Sequence, residues 1–184
     1  SCSLTNMRPE YIIGIVILVL VGVGLYFLPA PRGDALGADV TALPQFKEIV
    51  NPAGFVNSEP FELADFVGKK VILLDFVTYS CINCQRTFPY LNDWYEKYKD
   101  QGFEIVGIHT PEFAFEKDID NVRRAAKEFE LEFPLVLDND YGTWSAYENR
   151  YWPRKYLIDI HGNVGYDHIG EGGYEETESK IVEL

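Results

Sequence analysis

The order of segments along this chain predicts an α/β domain built on a central sheet, and three observations predict it. Apolar, β-rich runs alternate with helical patterns, the arrangement that brings strands into one sheet with helices packed on it. One of those runs, Val71–Val77, is apolar at every position except Asp75, as expected of a central strand buried on both faces. Two cysteines, Cys81 and Cys84, open the helical run that follows this strand directly.

The first element in chain order is not part of that domain. Tyr11 to Leu28 carries no charge over about 18 residues, near the lower limit for a bilayer-spanning helix. Tyr11 at one end and Tyr26-Phe27 at the other suit the two water interfaces, and Arg8 before the run favours keeping the short tail inside, which exports everything after it. A cleavable signal peptide is the rival reading, but its apolar region usually spans about 7–15 residues, and the small-residue pattern at Leu36-Gly37-Ala38 lies well past the run. The expected organisation is a tail over 1–10, a transmembrane anchor over 11–28, a turn-rich linker over 29–43 with Pro29, Pro31, Gly33 and Gly37, and the α/β domain over 44–184. The predicted location is the cell membrane, single-pass, with the domain outside the cytoplasm. Met7 is an alternative start, and Cys2, in the stretch before it, has no partner at useful spacing and is given no role.

Within the domain, strands are predicted at Val71–Val77, Phe103–Ile108, Leu135–Leu137 and Tyr156–Ile160, and helices at Cys81–Lys99, Asp118–Phe129 and Asp140–Tyr147. Val164–Ile169 reads as an edge strand. A last helix from Tyr174 has only about three turns before the sequence stops, so it is expected to be cut short. Pro89 falls inside the first helical run and predicts a kink with one lost backbone hydrogen bond.

Composition narrows the chemistry. The formal charge of −13, from 16 basic and 29 acidic residues, excludes a nucleic-acid partner, which would need clustered Lys and Arg. A domain of this size with 47% hydrophobic residues builds its own core without disulfide staples, so the cysteines point to chemistry. No cofactor or resident metal is expected. Structural zinc would need a second ligand pair, and covalent haem attachment would need His where Gln85 stands.

Two cysteines three apart in the first turn of a helix share a face at about 5–6 Å, within the range a disulfide tolerates, so they can close and open without backbone movement. Ser80 is the expected N-cap. The helix N-terminus favours a thiolate at Cys81, making it the nucleophile, while Cys84, one turn deeper, resolves the mixed disulfide. Asp75 is buried in the strand reading; with no cationic partner its pKa should rise, letting it take the Cys84 proton during resolution. A solvent-facing or structurally paired carboxylate is the alternative there.

A strand Asp six residues before the first Cys, the helix-opening Cys81-Ile82-Asn83-Cys84 and a Pro eight residues after Cys81 resemble the thioredoxin superfamily. Gly68-Lys69-Lys70-Val71, Thr78-Tyr79-Ser80, Gly107-Ile108-His109-Thr110-Pro111-Glu112-Phe113 and Asn149-Arg150-Tyr151-Trp152-Pro153 extend the likeness over roughly residues 44 to 174, to extracytoplasmic TlpA-type proteins and the C-terminal domain of DipZ-like cytochrome c biogenesis proteins. The resemblance implies a thioredoxin-like fold with a mixed sheet and a thiol-disulfide oxidoreductase, reducing client protein disulfides and fed by a membrane electron-relay partner. It also implies that Pro153 is the cis-proline facing the disulfide and holding the client, with Trp152 supplying backbone contacts. Ser80 in place of Trp, and Ile-Asn in place of Gly-Pro, depart from thioredoxin itself and leave potential and client open.

Two rival functions are defined by neighbouring residues. Thr78-x-x-Cys81 is half of a peroxiredoxin pattern, but Leu74 stands where its Pro is expected. A copper carrier would use the Cys pair with His109. His109 and Glu112, at the end of the second predicted strand, are further candidates to tune Cys81 or touch a client.

Overall fold

The computed structural model describes residues 43–184, and the predicted anchor at Tyr11–Leu28 lies outside them. Among the described residues no helix is long and apolar enough to cross a membrane. The chain runs through β1 (Gly54–Val56), β2 (Val71–Val77), α1 (Ile82–Tyr98), β3 (Phe103–His109), α2 (Ile119–Glu128), β4 (Leu135–Leu137), α3 (Gly142–Ala146), β5 (Arg154–Ile158), β6 (Val164–Ile169) and α4 (Tyr174–Glu183). The six strands form one sheet in the order β1-β4-β3-β2-β5-β6. β2 pairs in parallel with β3 and β3 with β4, while β1, β5 and β6 run antiparallel to their neighbours.

β2 is buried at every position because it is central and covered on both faces. Its odd positions, Val71, Leu73 and Val77, join Phe88, Leu91 and Trp94 of α1 and Val122 and Ala126 of α2 in one core. Its even positions, Ile72, Leu74 and Phe76, face a second core with Leu63, Val106 and Ile108, closed by Trp144 and Tyr147. The period of two therefore puts Asp75 on the α1 side of the sheet.

Helix starts follow local chemistry. Asp118 caps α2 by accepting from the amide of Asp120. The cap of α1 is Cys81, with extended backbone angles, and not Ser80 as predicted. The Ser80 hydroxyl is drawn away to a carboxylate 36 residues downstream, which no local signal announces. Pro89 sits on the exposed face inside a continuous α1, so its missing amide costs one bond and buries nothing unsatisfied on the core side. The fourth predicted strand lies two residues earlier than expected, because Asp159 turns the chain by accepting from the amides of His161 and Asn163 and leaves Ile160 in the bend. β1, only three residues long, went unpredicted.

Candidate functional site

The ends of β2 and β3, the start of α1 and the start of β5 meet at one end of the sheet, the crevice outside parallel strand ends where open α/β folds collect their functional groups. The predicted residues Cys81, Cys84, Trp152 and Pro153 are here, with Asp75 beneath.

Cys81 is half-buried and Cys84 has no exposed surface; both are free thiols. The Cys84 thiol above all, and the amides of Cys84 and Asn83, bring the Cys81 pKa down to about 6 against the burial that raises it. The amides act as dipoles at the helix end, since no full capping hydrogen bond reaches the sulfur. Cys84 is pushed strongly upward, first by burial and then by its neighbour Cys81. One thiol is thus open and largely ionised at neutral pH, while the other is closed and protonated.

Beneath Cys84 the sheet presents a polar row in an apolar core. Asp75 is opposite Gly107 on β3 and Lys155 on β5. Asp75 is fully buried and neither carboxylate oxygen has a hydrogen-bond partner. Burial raises its pKa to about 7 against the attraction of Lys155, with Cys81 adding to the rise. The expected rise is present even though a cation, Lys155, stands beside the carboxyl. Lys155 is itself fully buried, and its ammonium reaches the Gly170 carbonyl at 3.4 Å. Its signal in the sequence was parity: it alternates with Leu157, a core residue. Gly107 leaves the space that Leu135 fills, for a Cβ there would meet the Leu135 Cδ2 at 2.5 Å.

The Trp152-Pro153 peptide bond is cis. The carbonyl of Trp152 lies 4.0 Å from the Cys81 sulfur, and its indole donates to the Thr110 carbonyl at 3.1 Å while packing on Trp144. Ile82 and Tyr151 stand exposed beside this pair.

The residues considered for rival functions are placed otherwise. The Thr78 hydroxyl is completely buried and donates to Glu116, so it does not face the solvent side of Cys81. His109 is 2% exposed and stacked on Tyr79, and burial lowers its pKa to about 4. Among the described residues no group of three or more His, Cys, Asp and Glu side chains is arranged to hold a metal. Glu112 is exposed in the loop after β3 and its charge pushes the Cys81 pKa upward. Glu116, fully buried and bonded to Thr78 and Ser80, was not singled out from the sequence, where it reads as one more acidic loop residue.

Known proteins are similar to this chain in sequence and fold. The sequence model of the AhpC/TSA family matches residues 42–167. Protein DipZ of Mycobacterium bovis is 45% identical over 141 residues, covering 77% of this chain and 20% of DipZ. The thiol-disulfide oxidoreductase ResA of Bacillus cereus is 30% identical over 129 residues, covering 70% of this chain and 71% of ResA. The chain thus spans about a fifth of the length of DipZ but most of ResA. A crystal structure described as a thiol:disulfide interchange protein DsbE from Chlorobium tepidum shares the fold at a TM-score of 0.67 and 24% identity, covering 77% of this chain and 96% of that one.

Proposed function

Since the chain belongs to the AhpC/TSA family of thioredoxin-like proteins, we propose that it is a thiol-disulfide oxidoreductase that reduces disulfides of extracytoplasmic client proteins through Cys81 and Cys84. The observation that carries this reading is the asymmetry of the two sulfurs: Cys81 is open with its pKa lowered to about 6, and Cys84 is closed and held protonated above a buried carboxyl.

The Cys81 thiolate attacks a client disulfide, forming a mixed disulfide and releasing one client thiolate. Asp75, ionised in part near neutral pH, takes the Cys84 proton. The Cys84 thiolate then attacks the Cys81 sulfur, closing the internal disulfide and expelling the second client thiolate. Two electrons pass to the client, and a membrane dithiol relay, itself oxidised to a disulfide, supplies two more that reduce the Cys81–Cys84 disulfide again. Pro153 and the Trp152 carbonyl line the side from which an extended client chain approaches. A Cys81 thiolate held less far below the free thiol value than that of a strong oxidant, which lies at about 3.5, supports the reducing direction. In this reading Tyr11–Leu28 anchors the domain at the outer side of the cell membrane, and cytochrome c maturation supplies the clients.

The test is a Cys84→Ser trap in membranes. A mixed disulfide that disappears in the Cys81→Ser, Cys84→Ser double variant is expected, and the captured protein names the client. Absence of any adduct, or one that survives loss of Cys81, overturns the reading.

A further inference from the structure

We propose that Glu116 is a positioning residue for the nucleophile, clasping the turn that carries Cys81 to the loop between β3 and α2. The proposal rests on the reading of Cys81 as nucleophile, but its test addresses the sulfur itself without a client.

Glu116 lies in a short 3-10 turn, Ala114–Lys117, and is completely buried, while its neighbours Phe113 and Phe115 are about half exposed. A carboxylate out of water needs donors, and this one has four. One oxygen accepts from the hydroxyls of Thr78 and Ser80; the other accepts from the amides of Glu112 at 2.6 Å and Phe113 at 2.8 Å. Burial raises its pKa, but the four donors overcome that and hold it below the usual carboxylate value.

The contacts converge on the three residues before the nucleophile. The Thr78 oxygen also stands 3.4 Å from the His109 Nε2; with its own hydrogen given to Glu116, it accepts from the neutral ring. The Thr78 carbonyl takes the Cys81 amide at 3.3 Å, and the Tyr79 carbonyl takes the Gln85 side chain at 2.8 Å. Residues 78–80 are thereby fixed at both ends and at the middle, which sets the Cys81 sulfur over the amides of Asn83 and Cys84. The other groups that face Cys81 are Cys84 on α1, Asp75 on β2, Glu112 on the loop and the Trp152 carbonyl; the variants below keep all of these side chains, and only Glu116→Ala also frees the Glu112 amide.

The experiment is a pH titration of the Cys81 thiolate by its ultraviolet absorbance in the reduced protein, with folding checked by circular dichroism. In Glu116→Ala the midpoint should move up by about one unit, toward the free thiol value of about 8.5, so that thiolate near pH 5 falls about tenfold. Glu116→Gln should stay within about 0.3 units of the parent, because its carbonyl can serve both amides while its NH2 donates to hydroxyl oxygens that turn round. Ser80→Ala should move in the same direction as Glu116→Ala by a smaller amount. A parent-like titration in Glu116→Ala overturns the proposal, as does a Glu116→Gln shift as large as that of Ala. Should Glu116→Ala fail to fold, Ser80→Ala decides: an upward shift supports the clasp and an unchanged midpoint overturns it. A shifted thiolate together with an empty Cys84→Ser trap would remove the client reading and leave the clasp standing.

Discussion

Two carboxylates lie buried within one element of the cysteines, and they behave in opposite ways. Asp75, in the sheet floor behind Cys84, has no hydrogen-bond donor and its pKa rises to about 7. Glu116, in the collar before Cys81, also has no exposed surface, but it has four donors and is held low. Burial alone therefore does not set the charge of a buried acid; the supply of donors acts against it. In the floor the missing donors leave a group able to exchange a proton near neutral pH. In the collar the full set leaves a fixed anion that holds geometry.

The largest effect expected from this contrast is a pH-dependent gain in stability from Asp75→Asn. The folded-state pKa of about 7 lies above the ordinary 3.8, so the folded protein binds this proton more tightly than the unfolded chain. Asp75 thus costs nothing below about pH 4, destabilises progressively as pH rises to about 7, and costs a constant amount above. Denaturant unfolding of Asp75→Asn against the parent should show an advantage at pH 8 that exceeds its value at pH 4 by about 3–5 kcal/mol, at about 1.4 kcal/mol per unit. Equal differences at the two pH values would break the contrast from the floor side.

Thr78→Val tests the collar side at similar side-chain volume. It withdraws one donor from Glu116 and leaves the His109 N–H without its acceptor, for an expected loss of about 1–3 kcal/mol in denaturant unfolding. Because Glu116 is already ionised, this loss should be flat from pH 6 to 8, unlike the gain from Asp75→Asn. A steep pH dependence would show the two carboxyls to be alike after all. The smallest effect belongs to exposed Glu112, whose charge raises the Cys81 pKa. Glu112→Gln should lower the thiolate midpoint by about a few tenths of a unit, read by absorbance, and a rise instead would remove Glu112 from the electrostatics of Cys81.

The floor was more legible in the sequence than the collar, for a physical reason. A strand buried on both faces announces itself by an unbroken apolar run, so an Asp inside it stands out, and the Cys-x-x-Cys spacing at a helix start carries its own chemistry. Lys155 hid beside Arg154, where two cations before a strand look like a solvated edge, although its parity matched core Leu157. The collar is made by contacts between residues 36 and 38 positions apart, and Ser80 taken locally is an N-cap. Only the tertiary fold shows that its hydroxyl is committed elsewhere and that Cys81 takes the cap position.

The complete burial of Cys84 has one more consequence, for survival under oxidation. Of the two cysteines in the described residues, peroxide, glutathione and other solvent-borne agents meet only Cys81, and what they leave there sits against a thiol they cannot reach. With the roles proposed for the two cysteines, Cys84 would displace a sulfenic acid as water, or a glutathione cap as its thiolate, as the internal disulfide closes, before the irreversible sulfinic stage. The arrangement that gives the molecule a single entrance also keeps that entrance from being sealed.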